Sequence, residues 1–456
     1  MIEPKLAAKP LAVNPLKVSQ PMGASLAFMG LGHALPLEHG AQGCTAFSKA
    51  FFTRHFREPI PLQTTAIDHL VAIIGADQNV IDALRTIAQS CRPEVVGLVS
   101  TGLAEMQGAD VVRTIAQFRA LHPEHAAMSV IPVAAPDSLG NLESGFALAV
   151  EAVIDALVPE SKCAGRRPRQ VNVLASSMLT PGDVEAIVEW IEAFELHPLV
   201  LPNLGDSLDG RLGEDGYRPI TSGGITRAQI ASMGESAATF VVGPSLHRAA
   251  DLLARRTGVP DRRFPSLLGL EGCDDFSLAL SEVAQRAVPC RIERQRAQLL
   301  DAMVDCHAPL GGARVAIAAD PDHLGALVRF LGSLGAEVAV AVASARVPPA
   351  VALQSVTVGD LGDFEHQAAR REVDLLIASS HAVGAAERLG RPLLRAGFPL
   401  YDEAGGHTRA WVGYRGARQA VFDLTNLLTG SRRELAPYRS VYWEGTPRAT
   451  EVARTH

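Results

Sequence analysis

Three stretches of the chain share one rhythm of apolar and polar positions. In the first, Val95-Val96-Gly97-Leu98-Val99 is a short β-branched run closed by Ser100-Thr101-Gly102. Val111, Val112, Ile115 and Phe118 then share one helical face after Asp110, and Ser129-Val130-Ile131-Pro132-Val133 is a second run. Buried strand, polar or glycine turn, amphipathic helix and buried strand are the units of a parallel α/β sheet. The rhythm restarts with predicted strands at 171–174, 199–201 and 239–242. The helix predicted over 181–194 has Pro181 in its first turn and acidic residues near its start, both favourable there. A third round places strands at 314–318, 337–342, 374–377 and 392–394, with a helix from Pro321. Helices are also expected at 275–287 and 291–305.

Before the first round the pattern is less regular. Pro4, Pro10 and Pro15 keep residues 1–20 extended. An apolar stretch runs from Ala24 to Leu37. Leu70, Ile73, Ile74, Ile81, Leu84 and Ile87 predict a helix over 66–90, broken at Gly75-Ala76-Asp77. Residues 159–169, 203–220 and 258–265 read as linker or loop. The tail from about Leu435 is polar and expected against the surface or a partner. Three α/β domains follow: 1–165 with the N-terminal extension, 166–305, and 306–456 with the C-terminal tail. No repeat of solenoid period is present.

Composition narrows the class. The 456 residues are 47% hydrophobic and 20% charged, as in a soluble globular protein. A net charge of -7 argues against nucleic-acid binding. The most apolar early run is broken by Gly30, Gly32 and His33, so it does not read as a membrane span. The N-terminus lacks the layout of a signal peptide, and the cytoplasm is expected. The six cysteines include no C-x-x-C pair, which argues against a self-contained zinc or iron–sulfur site.

One cysteine stands apart. His39-Gly40-Ala41-Gln42-Gly43-Cys44-Thr45 places Cys44 on a glycine-rich turn before a helix bearing Phe47, Phe51, Phe52 and Phe56. Gly40 and Gly43 are expected to allow positive φ and close approach. The free N–H groups of the helix start are expected to lower the thiol pKa, and the aromatics to wall off a thiolate. Spacing alone leaves Cys44 open as a metal or cluster ligand, a nucleophile or a buried small hydrophobe. Cys306 shares a face with Leu299 and Met303 and reads as core. Cys91, Cys163, Cys273 and Cys290 have no ligand partner in sequence. Gly223-Gly224 reads as a structural turn rather than a phosphate site. Ser379-Ser380-His381 follows a strand where α/β proteins place ligands, but lacks the Gly-x-Ser-x-Gly elbow of a hydrolase. His55 is expected at a surface or interface. No catalytic residue is assigned. A four-iron cluster normally takes four cysteines, so one good cysteine implies that a partner chain supplies the rest.

Asn14-Pro15-Leu16-Lys17, Gln20-Pro21-Met22-Gly23-Ala24, His39-Gly40-Ala41-Gln42-Gly43-Cys44 and Arg54-His55-Phe56-Arg57-Glu58-Pro59 resemble the beta chains of the nitrogenase component 1 superfamily. Further matching stretches include Gly258-Val259-Pro260-Asp261-Arg262-Arg263-Phe264 and Arg395-Ala396-Gly397-Phe398-Pro399. The resemblance implies three Rossmann-like domains with parallel sheets flanked by helices. Catalytic beta chains of the family carry three cluster cysteines. Cys44 matches the first, while the second falls at Ile60-Pro61-Leu62-Gln63 and the third at Gly102. These departures make the chain most similar to the beta-like subunits of the scaffold on which the iron–molybdenum cofactor matures.

That resemblance implies that Cys44 is one ligand of a [4Fe–4S] cluster shared with a NifE-like subunit, in a heterotetramer of two such pairs. It implies a cofactor precursor held mainly by that subunit and transient docking of the nitrogenase iron protein. It also implies exchange with the precursor donor and with the nitrogenase component 1 acceptor. The chain would be a scaffold and electron relay rather than an enzyme on its own. Phe47, Phe51 and Phe52 would govern solvent access to the cluster. A catalytic subunit of a nitrogenase-like reductase, either nitrogenase or dark protochlorophyllide reductase, is the enzymatic alternative. A sugar- or nucleotide-binding α/β protein with Cys44 in its core is the binding-module alternative.

Overall fold

The computed structural model describes residues 5–6, 12, 14–208, 218–346 and 355–431. The tail expected from Leu435, half of the N-terminal lead-in and residues 209–217 of the long loop lie outside these residues.

Every strand pairing among the described residues is parallel, in three sheets. Strand β1 (Lys5–Leu6) joins the third sheet. The first sheet contains β2 (Ala34–His39), β3 (Gln63–Thr64), β4 (Val95–Ser100) and β5 (Ser129–Ala134), in spatial order β3-β2-β4-β5. The second holds β6 (Arg167–Ala175), β7 (His197–Leu201), β8 (Ser236–Val242) and β9 (Asp261–Phe264), in order β7-β6-β8-β9. The third adds β10 (Arg314–Ala319), β11 (Glu337–Ala343), β12 (Thr357–Val358), β13 (Leu375–Ala378) and β14 (Leu393–Arg395), in order β1-β12-β11-β10-β13-β14. This is the parallel α/β architecture the apolar runs predict.

The helices around the first sheet explain why the middles of β2, β4 and β5 are apolar on both faces. They are α1 (Gln20–Met29), α2 (Gln42–Phe56), α3 (Val71–Ile74), α4 (Asp77–Ser90), α5 (Gly102–Met106), α6 (Val111–Leu121) and α7 (Leu142–Leu157). Leu35, Leu37, Val96, Leu98 and Val130 pack against α4 and α6 on one face. Ala34, Val95, Val99, Ile131 and Val133 pack against α1 and α7 on the other. A strand covered on both faces loses the alternation of a half-exposed one.

The sequence pattern missed α1 for a related reason. All ten of its residues are buried, so it has no polar face to mark a helical period. The break expected near residue 75 is real: Gly75 has φ +105 between α3 and α4. The loop expected at 258–265 is instead the edge strand β9. Its exposed Arg262 and Arg263 pair with Glu282 and with Asp251 and Asp261, so it reads as polar.

The three sheets aim their carboxyl ends at a common junction. Helix α7 starts there with Asn141 as a capping box, and Asn141 Nδ2 donates to Asp320 Oδ1, just beyond β10, at 3.1 Å. The Asp322 N–H donates to Glu143 Oε2 at 2.8 Å. Just beyond β8, the Ser245 N–H and hydroxyl donate to the Asp322 carboxylate at 3.0 and 2.6 Å. Burial pushes Glu143, Asp320 and Asp322 above the usual carboxylate range, Asp322 to about 6. A raised folded-state pKa gives stability that is complete below the unfolded value and is lost as pH rises through the folded one. Glu143→Gln keeps an acceptor for the Asp322 N–H and cannot ionise. Denaturation at pH 5 and pH 8 should show the variant gaining on wild type by on the order of 1 kcal/mol at the higher pH. An equal difference at both pH values would contradict this.

Candidate functional site

Cys44 sits where the first sheet ends. Strand β2 runs out at His39, and Gly40 makes the turn. The backbone at Gly40 does not take positive φ. Gly40 is required for a different reason: a Cβ there would come within 3.0 Å of the Thr101 side chain, whose hydroxyl donates to the His39 carbonyl at 3.0 Å. His39 Nδ1 lies 2.8 Å from Thr65 Oγ1, and the Ile67 N–H donates to the Gly40 carbonyl at 2.9 Å. These bonds fix the turn before the helix begins. Helix α2 starts at Gln42 after an N-cap, Ala41, whose side chain offers no acceptor. Cys44 therefore lies in the first helical turn and is exposed. Gly43 beside it is open on its outer side, with nothing within 4 Å of a Cβ position.

The charge around this thiol is not what the helix start suggests. Partial desolvation by the surrounding turn pushes the thiol of the exposed Cys44 above its ordinary value, and the nearby carboxylates of Asp137 and Glu38 push it the same way. Glu38 is itself buried under the first turn of α2. The Ser25 hydroxyl donates to its Oε1 at 3.2 Å, and the Thr45 and Ser48 side chains of that turn face the same carboxylate. The helix-start expectation of an activated thiolate is thus corrected, first by desolvation and then by two nearby acids. Alkylation of Cys44 in the isolated chain should still be accelerating at pH 9. A rate that levels off below pH 8 would restore the activated thiol.

The aromatic residues of α2 do not form one wall. Phe52 and Phe56 are buried and pack toward the third sheet, with Phe52 5.8 Å from Phe398 between ring centroids. Phe51 lies 4.5 Å from Phe47 and 5.7 Å from His381. Phe47, one turn after Cys44, is 60% exposed. Only Phe47 and Phe51 are thus placed on the Cys44 side of the helix.

His55 is not at a surface. It is buried, its Nδ1 accepts from the Leu400 N–H at 2.8 Å, and burial pushes its pKa down to about 3. Arg57 donates to the Tyr401 carbonyl at 2.7 Å, and the Arg54 guanidinium lies 4.4 Å from the Tyr401 ring centre. The loop after β14 therefore clamps the far end of the Cys44 helix. Sequence order gave no sign of this, because the partners are more than 340 residues apart.

The other candidates fall to structural roles. Cys273 and Cys306 are buried in the core, as expected for Cys306. Cys91 caps the far end of α4 and Cys163 precedes β6, so neither is at the carboxyl end where Cys44 lies. Among the described residues no three His, Cys, Asp or Glu side chains converge to hold a metal ion. Ser380 and Asp402 bond each other, and Ser380 Oγ also accepts from the Tyr401 N–H at 3.0 Å. Gly224 has φ +83, and its N–H is taken by Asp206 Oδ2 at 2.9 Å, so Gly223-Gly224 is a structural turn. Leu62 is buried in the first core, while Gly102 opens α5.

A cavity of about 60 Å³ lies between the sheets, lined among others by His55, Asp320, His323, Phe398 and Trp411. It has room for a few water molecules and not for a metal–sulfur cofactor. Among the described residues no helix is long and apolar enough to cross a membrane.

Residues 19–429 match the family model described as nitrogenase component 1 type oxidoreductase. A Klebsiella pneumoniae protein named nitrogenase iron-molybdenum cofactor biosynthesis protein NifN is 45% identical over 95% of this chain and 94% of its own length. A protein of the same name from Bradyrhizobium diazoefficiens is 41% identical over 96% and 94%. Among solved structures, a chain titled nitrogenase Cp1 at pH 6.5 superposes with a TM-score of 0.88 at 28% identity, covering 94% of this chain and 96% of that one.

Proposed function

Because the chain belongs to the nitrogenase component 1 type oxidoreductase family, we propose that it is a scaffold subunit for iron–molybdenum cofactor biosynthesis, a process that the names of the two relatives above carry. It pairs with a NifE-like subunit in a heterotetramer of two such pairs, in the cytoplasm. Cys44 is its single ligand to a [4Fe–4S] cluster shared across that pairing.

The observation that carries this reading is the donor set. Cys44 is exposed on the first turn of α2 beside the open side of Gly43. The two positions where catalytic family members bring further thiolates hold a buried leucine, Leu62, and a glycine, Gly102. One thiolate fits one corner of a four-iron cluster, and it cannot anchor half of an eight-iron one. The bound cluster would supply one-electron transfer, fed by transient docking of the nitrogenase iron protein. The chain's own part is to present the thiol on a fixed turn. Metal binding must also draw off its proton against the pull of Asp137 and Glu38.

A second element of the reading is that the cofactor precursor is held mainly by the partner. Precursor and product would then pass between that subunit, the precursor donor and the nitrogenase component 1 acceptor. Anaerobic purification of this chain with and without a NifE-like partner tests the assignment. Iron and brown colour should come with the pair and be absent from the chain alone. A colourless pair, or a pair that reduces protochlorophyllide, would contradict it.

A further inference from the structure

Three neighbouring strands end together at Cys44. Strands β2, β4 and β5 lie side by side and run out at His39, Ser100 and Ala134. Their exits bring forward Cys44, Gly102 and Asp137 respectively. Gly102 is the position where the family pattern carries a third cysteine. A Cβ built on Gly102 would sit 3.6 Å from the Asp137 carboxylate, an ordinary contact distance. A cysteine side chain there would thus project against Asp137. The carboxylate also accepts from the Gly102 N–H, and Lys17 Nζ donates to the Asp137 carbonyl at 3.1 Å. The loop carrying the acid is therefore held from both sides. The parallel exits of β2, β4 and β5 put this loop on the same edge of the sheet as the Cys44 turn.

We propose that Asp137 sets the reduction potential of the shared cluster: with no thiolate projecting from Gly102, its carboxylate stands beside the Cys44 corner and keeps that potential low. A fixed negative charge disfavours adding an electron to an already anionic group, and its effect grows as the partner surface excludes water. Leu139, two residues on, is 81% exposed, so the same loop offers an apolar surface for that covering. Asp137 acts through its charge and is not itself counted as a ligand. The inference rests on the reading of Cys44 as a cluster ligand.

The test is an anaerobic redox titration of the pair, followed by electron paramagnetic resonance, for wild type, Asp137→Asn, Asp137→Glu and Cys44→Ala. Asp137→Asn should keep its iron and shift the midpoint to a more positive potential. Asp137→Glu, which keeps the charge, should stay near wild type. An unmoved midpoint in Asp137→Asn overturns the inference. Loss of iron in that variant also overturns it, since the side chain would then be a ligand or a structural support. Full iron and signal in Cys44→Ala would instead remove the ligand reading beneath it.

Discussion

Gly145→Ala should destabilise the protein by about 3 kcal/mol or more, read as a lowered midpoint of urea unfolding. Helices α1 and α7 cross backbone to backbone. A Cβ at Gly145 would come well inside 3.0 Å of the Gln20 carbonyl, and one at Gly23 equally close to the Leu142 carbonyl. Neither obstacle is a side chain that can rotate away, so the helices must separate. The gap would open a core that includes Phe28, Phe146, Val150 and Ile154. The damage would also travel. Helix α7 begins with Asn141 and Glu143, which bond Asp320 and the Asp322 N–H, and it follows directly on the Asp137 loop. Gly43→Ala is the matched control: its Cβ meets nothing, so stability should stay within about 0.5 kcal/mol. A Gly145→Ala variant as stable as wild type would show that the crossing is looser than described.

Sequence pattern revealed the repeated elements and left the connections obscure. Strands such as Val95–Ser100 and Arg314–Ala319 are legible because buried parallel strands are short apolar runs between turns. Helix α1 was hidden because it is buried on every side. Strand β9 was hidden because an edge strand bearing Arg262 and Arg263 looks like a loop. At the site, motif resemblance could single out Cys44 and the missing companions at Leu62 and Gly102. It could not supply the electrostatics. Asp137 lies 93 positions beyond Cys44 in sequence, and only the parallel order of β2, β4 and β5 brings the two together. The same holds for His55, which looks like a polar surface residue until the Leu400 N–H and Phe398 are seen to cover it.

The second large effect concerns Cys44 itself. The side chain is exposed, so replacing it should cost the fold little. Its removal takes away the only thiolate that this chain presents at the carboxyl end of the first sheet. Among the described residues no second thiol stands nearby: Leu62 is apolar and buried, Gly102 has no side chain, and the other cysteines sit in the core or at other places in the fold. Structural and ligand roles therefore separate cleanly in one variant. Cys44→Ala should fold, pair with the partner and lose the cluster.

The most direct measurement is the iron content and electron paramagnetic resonance spectrum of the anaerobically purified pair, wild type against Cys44→Ala. The account predicts that the variant still co-purifies with its partner, that the [4Fe–4S] signal is lost, and that iron falls by the share belonging to the shared cluster. An unchanged [4Fe–4S] signal in the variant would contradict it.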